Sequence, residues 1–140
     1  MKAMGCHIIA EMSHCSEDIL SDLSKIKDIM VKAALEAKAI IKETAFHRFM
    51  PQGVSGVVVI AESHLSIHTW PELGYAAVDV YTCGEKTQPN KACEYLAKYL
   101  GAKDVSITEI RRGLPNSSNS FTHIISRSNA SGGEQIVQSA

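Results

Sequence analysis

A chain of 140 residues, 45% hydrophobic and 21% charged, is long enough for one domain with a real core and has ordinary globular usage. Its formal net charge of -1 argues against an electrostatic nucleic-acid binder, and no apolar run approaches the roughly 20 residues of a membrane span. Met1-Lys2-Ala3-Met4-Gly5 lacks the apolar stretch and cleavage site of a secretion signal, so a cytoplasmic location is expected.

In chain order, residues 5–12 read as a short strand. Ser16-Glu17-Asp18 has the form of a helix start, with Ser16 as N-cap and acids in the first turn. Leu20, Leu23, Ile26, Met30, Ala33 and Ala37 then recur every three or four residues, predicting one amphipathic helix. A strand is expected over 39–49, broken by Met50-Pro51-Gln52-Gly53. The run Val57-Val58-Val59-Ile60 marks a covered strand within 56–61. From His64 to Trp70 the pattern alternates, with Leu65 and Ile67 on one face and His64, Ser66 and His68 on the other. Pro71-Glu72-Leu73-Gly74 is a turn, and residues 75–82 alternate again. A second helix spans Pro89 to Leu100, with Gly101 where a C-terminal cap belongs. Residues 104–111 form a further strand. Beyond Gly113 the composition turns to Asn, Ser and Gly, and a flexible tail over 114–140 is expected, with at most a short strand at 121–125.

Alternating strands joined by tight turns imply an antiparallel sheet, and two amphipathic helices cover only one of its faces. The expected class is α/β (α+β): a two-layer sandwich over residues 1–113. Its bare face calls for a second subunit, giving a four-layer α/β/β/α dimer. A four-residue loop at 71–74 places Trp70 opposite Tyr75 and brings Ser63 near Thr82 and Cys83, since cross-strand Cβ atoms lie about 4.5–5.5 Å apart. Ser63, His64, His68 and Cys83 are thus expected at one end of one hairpin. Ser63 and His68 have opposite parity, however, so Ser63 meets His68 only from a turn or bulge outside regular pleating.

Taken singly these residues have bland readings. Ser63 is a turn serine, His68 a half-buried strand histidine, Cys83 a small buried thiol, Phe49 a core aromatic, and Ser55 and Glu72 loop polar groups. Together, His47-Arg-Phe49, Gly53-Val-Ser-Gly-Val57, Glu62-Ser-His-Leu-Ser-Ile-His-Thr-Trp-Pro-Glu72, Tyr75-Ala-Ala77, Asp79 and Cys83-Gly84 resemble the prokaryotic S-adenosylmethionine decarboxylase proenzymes, from about Gly5 to Gly113.

The resemblance implies self-cleavage between Glu62 and Ser63. The Ser63 hydroxyl attacks the Glu62 carbonyl, His68 removes the Ser63 α-proton as base, and Ser55 supports the developing oxyanion. A β chain of 62 residues and an α chain of 78, capped by a covalent pyruvoyl cofactor, remain. That ketone forms a Schiff base with S-adenosylmethionine, releases carbon dioxide and yields the aminopropyl donor for spermidine synthesis. Cys83 is the implied proton donor; a thiol with a reference pKa near 8.5 keeps its proton at neutral pH. Phe49 and His68 are implied at the adenine and Glu72 at the ribose hydroxyls, in sites shared across a homodimer interface.

A pyruvoyl-dependent arginine decarboxylase of the same fold is the nearest alternative. Three others are a hydrolase using Cys83 and His68, a metal module using His64 and His68, and a non-catalytic dimeric domain. Cys6, Cys15, Cys83 and Cys93 include no CxxC pair, so neither zinc nor, in a reducing compartment, disulfides are expected.

Overall fold

The alternation between residues 63 and 83 folds into a hairpin, and the rest of the sheet is built outward from it. The computed structural model describes residues 2–129 and 135–139. Its elements are β1 (Gly5–Ser13), α1 (Glu17–Leu20), α2 (Leu23–Glu36), β2 (Ile41–Arg48), β3 (Val54–Ile60), β4 (Ser63–Trp70), β5 (Tyr75–Cys83), α3 (Pro89–Tyr99), β6 (Asp104–Pro115), β7 (Phe121–Asn129) and β8 (Gln135–Ser139). One 3-10 turn, Pro71–Leu73, joins β4 to β5. The strand order is β2-β3-β4-β5-β1-β6-β7-β8. All seven pairings are antiparallel. The hairpin register is the expected one, with Trp70 opposite Tyr75 and His64 opposite Tyr81.

Period-two patterning sorts each strand into a covered and an open face. Leu65 and Ile67 of β4, Val78 and Val80 of β5, Ile8 and Met12 of β1, and Val58 and Ile60 of β3 are buried on one side. Against them α2 lays Ile26, Met30 and Ala33, and α3 lays Ala92 and Leu96. Each fully buried Ile, Leu or Met contributes about 1.5–3 kcal/mol of transfer free energy, so the two-layer core is the main stabilising term. Gly56 sits directly beneath the Phe46 ring; a Cβ there would lie 2.1 Å from Phe46 Cδ1. Among the described residues no helix packs on the face that carries His64, Ser66, His68, Asp79 and Tyr81.

Two expectations are corrected. The single helix from Ser16 to Ala37 is two. Asp22 adopts an extended backbone and accepts a hydrogen bond from Lys25 N at 3.1 Å, so it caps a new helix instead of continuing the old one. The strands also go on past residue 113: β6 runs to Pro115, and β7 is Phe121–Asn129 rather than a short piece at 121–125. The physical reason is that Asn116 forms a tight turn, its side chain accepting from Ser118 N and Ser120 N, which folds β7 back along the free edge of β6. Residues 130–134 and 140 of the expected tail lie outside the described residues.

Candidate active site

The serines and histidine singled out in the sequence form two close pairs at opposite ends of β4. At its start, Ser63 Oγ lies 3.3 Å from Cys83 Sγ. Toward its end, Ser55 Oγ on β3 lies 2.7 Å from His68 Nδ1, because Ser55 and His68 are register partners on the open face. A single hairpin end holding Ser63, His64, His68 and Cys83 together is therefore not what the fold delivers. His68 lies five residue steps along extended strand from Ser63, on the order of 17 Å at about 3.4 Å per step.

Ser63 reaches Cys83 by leaving regular pleating. Glu62 has φ 79° and Ser63 φ 157°, positions that L side chains rarely adopt and that cost about 1–3 kcal/mol each. The turn at residues 61–62 swings the Ser63 hydroxyl onto the open face, where Cys83 also points. Gly84 leaves room for the Glu62 carboxylate, whose Oε2 would be 3.0 Å from a Cβ at that position. Cys83 and Tyr81 both pack over Gly5. A Cβ on Gly5 would lie 2.7 Å from Tyr81 Cε1 and 3.0 Å from Cys83 Sγ. Burial and the neighbouring Cys83 push the Tyr81 phenol up from its ordinary pKa.

Phe49 and Glu72 belong to the other end. Phe49 is 47% exposed, its backbone N–H donates to Gly53 O at 2.8 Å, and its ring meets His47 edge-on at 4.7 Å. Glu72 is exposed on the Pro71–Leu73 turn that follows β4. The two ends thus carry different parts: a strained bond with a thiol at one, and an imidazole, an exposed ring and a carboxylate at the other.

The sequence and fold match a known family. The S-adenosylmethionine decarboxylase family profile matches residues 6–113. The chain belongs to that family. It is 63% identical over 114 residues to the S-adenosylmethionine decarboxylase proenzyme of Moorella thermoacetica, a match spanning 81% of this chain and 91% of the relative. The corresponding proenzyme of Pelotomaculum thermopropionicum is 59% identical over 114 residues, spanning 81% and 90%. Among solved structures, the adenosylmethionine decarboxylase of Aquifex aeolicus superposes with a TM-score of 0.78 at 34% identity, covering 84% of this chain and 97% of that one. The family region ends at residue 113, so β7 and β8 lie beyond it.

Sequence reasoning left His7 and Asp79 without a role, and the fold joins them. Asp79 Oδ1 lies 3.1 Å from His7 Nε2, and Asp79 Oδ2 accepts from Ser66 Oγ at 2.9 Å. Arg112 Nη1 lies 3.4 Å from His7 Nδ1. Arginine only donates, so Nδ1 is the acceptor and Nε2–H donates to Asp79. The bond from His7 holds the Asp79 carboxyl below the usual carboxylate range. Burial and the nearby His7 lower His64. The signal for this cluster was available in part: Ser66 and Asp79 are polar residues at open-face positions of adjacent strands. Only the register makes them partners. Among the described residues no group of three His, Cys, Asp or Glu side chains is arranged to hold a metal ion, and no helix is long and apolar enough to cross a membrane.

Proposed function

We propose that this family member is a pyruvoyl-dependent S-adenosylmethionine decarboxylase that cleaves itself between Glu62 and Ser63 and works as a cytoplasmic homodimer. The observation that carries the reading is the strained corner at Glu62–Ser63 with the Ser63 hydroxyl beside Cys83. The relatives reported above carry the S-adenosylmethionine name, which leaves arginine as a substrate without support.

The corner fits the chemistry of cleavage. Attack by Ser63 Oγ on the Glu62 carbonyl exchanges the amide for an ester and releases backbone strain. Ser55 donates toward the oxyanion, and the His68 imidazole accepts the Ser63 α-proton. The ester C–O bond then breaks, leaving a Glu62 carboxylate, and water displaces ammonia at position 63. A pyruvoyl group at position 63 would supply the ketone that acts as electron sink for the decarboxylation. Cys83 returns a proton to the substrate carbon, Phe49 stacks on the adenine and the Glu72 carboxylate accepts from the ribose hydroxyls.

The distance between the two half-sites supports the dimer. Ser63 and Cys83 of one chain are some strand-length away from their own Ser55 and His68, and a rigid sheet cannot fold one onto the other. A second copy laid antiparallel on the open face brings its Ser55–His68 end over the first copy's Ser63. Stacked sheets lie about 10 Å apart, within reach of opposing side chains. The 1–113 region is then the catalytic unit, divided into a chain ending at Glu62 and one starting at position 63.

Mixed dimers test this. Ser63→Ala and His68→Ala chains, each produced alone, should remain intact by mass. Co-produced, they should yield cleavage of the His68→Ala chain alone, since its Ser63 meets the partner's imidazole. Absence of any cleavage in the mixture, with native protein cleaving normally, would remove the shared site.

A further inference from the structure

The buried hydroxyl of Thr69 ties three distant segments together directly beneath the Ser55–His68 pair. Thr69 is 6% exposed and faces the helices. Its Oγ1 accepts from Val54 N at 2.9 Å and donates to Leu20 O at 2.9 Å, joining the start of β3, the end of β4 and the end of α1. Both bonds are buried, and Val54 is 1% exposed. The β3–β4 ladder ends at Ser55 opposite His68, so Val54 N–H finds its acceptor in this side chain.

Consecutive strand residues point to opposite faces. Val54 and Thr69 are therefore the helix-side neighbours of Ser55 and His68, and fixing the first two fixes the second two. Beyond Val54 the chain departs at Gly53, with φ 108°. On the β2 side Val54 pairs with Arg48 and Gly53 O accepts from Phe49 N, while toward β4 the last hold is the Thr69 hydroxyl. Without the hydroxyl, the entry to β3 keeps its pairing with β2 but loses this tie to β4, and Ser55 is free to shift against the imidazole.

We infer that Thr69 is a positioning residue for self-cleavage: its hydroxyl sets the Ser55–His68 hydrogen bond from the opposite face of the sheet. The inference rests on the cleavage reading above and adds a residue that touches neither the scissile bond nor the substrate. A threonine-to-valine change keeps the shape and removes only the hydroxyl, while serine restores it.

The test follows cleavage of newly translated chains by mass over time, in native protein and in Thr69→Val, Thr69→Ser and Leu96→Ala. Leu96 is fully buried on α3, far along the chain from the pair, and serves as the destabilised control. Thr69→Val should cleave about ten-fold more slowly or worse, the scale expected for a misplaced catalytic pair. Thr69→Ser should stay within about three-fold of native, and Leu96→Ala should cleave like native although it melts at least as early as Thr69→Val. Native-rate cleavage in Thr69→Val, or equal slowing in Leu96→Ala, overturns the inference. A second readout stands apart from cleavage. In the uncleaved Ser63→Ala chain, adding Thr69→Val should move the His68 imidazole NMR resonances, and Thr69→Ser should return them. Unmoved resonances would overturn the positioning role. A native chain that never cleaves would instead sink the proposed function, and the His68 resonances would still decide the role of Thr69.

Discussion

Two turns bound β4, and they solve the same geometric problem with opposite chemistry. After β4, the Pro71–Leu73 turn closes on Gly74, whose φ of 61° costs a glycine nothing. Gly74 N donates to Pro71 O at 3.1 Å, and its carbonyl accepts from Cys15 N at 2.9 Å, so the turn is relaxed and tied to the end of β1. Before β4, Glu62 and Ser63 occupy φ 79° and 157° with full side chains. Glycine would relieve that corner but would supply no hydroxyl. The difference teaches that strain is kept at the bond proposed to break and removed where the chain only reverses.

Relaxing the strained turn is the strongest way to break the contrast. Glu62→Gly should slow self-cleavage by about five- to ten-fold, because the roughly 1–2 kcal/mol of backbone strain no longer raises the ground state. In a Ser63→Ala background the same change should leave stability to urea equal or slightly higher. Cleavage at the native rate would mean that the turn's strain does not drive the reaction. Straining the relaxed turn makes the converse experiment. Gly74→Ala should lower stability by about 1–2 kcal/mol through its left-handed backbone alone, since its Cβ would meet nothing closer than Cys15 O at 3.4 Å. Cleavage once folded should be unchanged, and a slowed rate would show that both ends of β4 act as one unit.

A smaller effect is expected from the open face between the turns. Because His7 holds the Asp79 carboxyl below its unfolded value, near about 3.9, that bond's stabilisation is complete above that pH and is lost as the pH falls through the lower folded value. Asp79→Asn should therefore flatten the acid limb of a urea-midpoint titration below about pH 4, by about 1 kcal/mol or less for a half-buried pair still partly screened by solvent. An unchanged acid limb would show that His7 does not engage the carboxylate in solution.

The hairpin was legible because its signals are local. Alternation from His64 to Trp70 assigns faces, Pro71 and Gly74 fix the loop, and the loop fixes the register that sets Ser66 against Asp79. The identities of Ser63, His68 and Cys83, in one familiar order, also named the family. The helix break at Asp22 was less legible, because a continuous apolar stripe hides a capping side chain.

The sequence by itself therefore determined the period-two and period-3.6 patterning, the turn at residues 71–74, the layer arrangement and, through the hairpin register, the nearness of Ser63 to Cys83, all of which depend on near neighbours. Only the tertiary structure decided that His68 pairs with Ser55, a strand-length away from Ser63. It alone decided that β7 lies along β6, and that one hydroxyl on Thr69 serves partners 15 and 49 residues distant. The reason is physical: a strand's rise and a hydrogen bond's short range act on positions in space, and chain spacing constrains those only where the intervening segment is rigid.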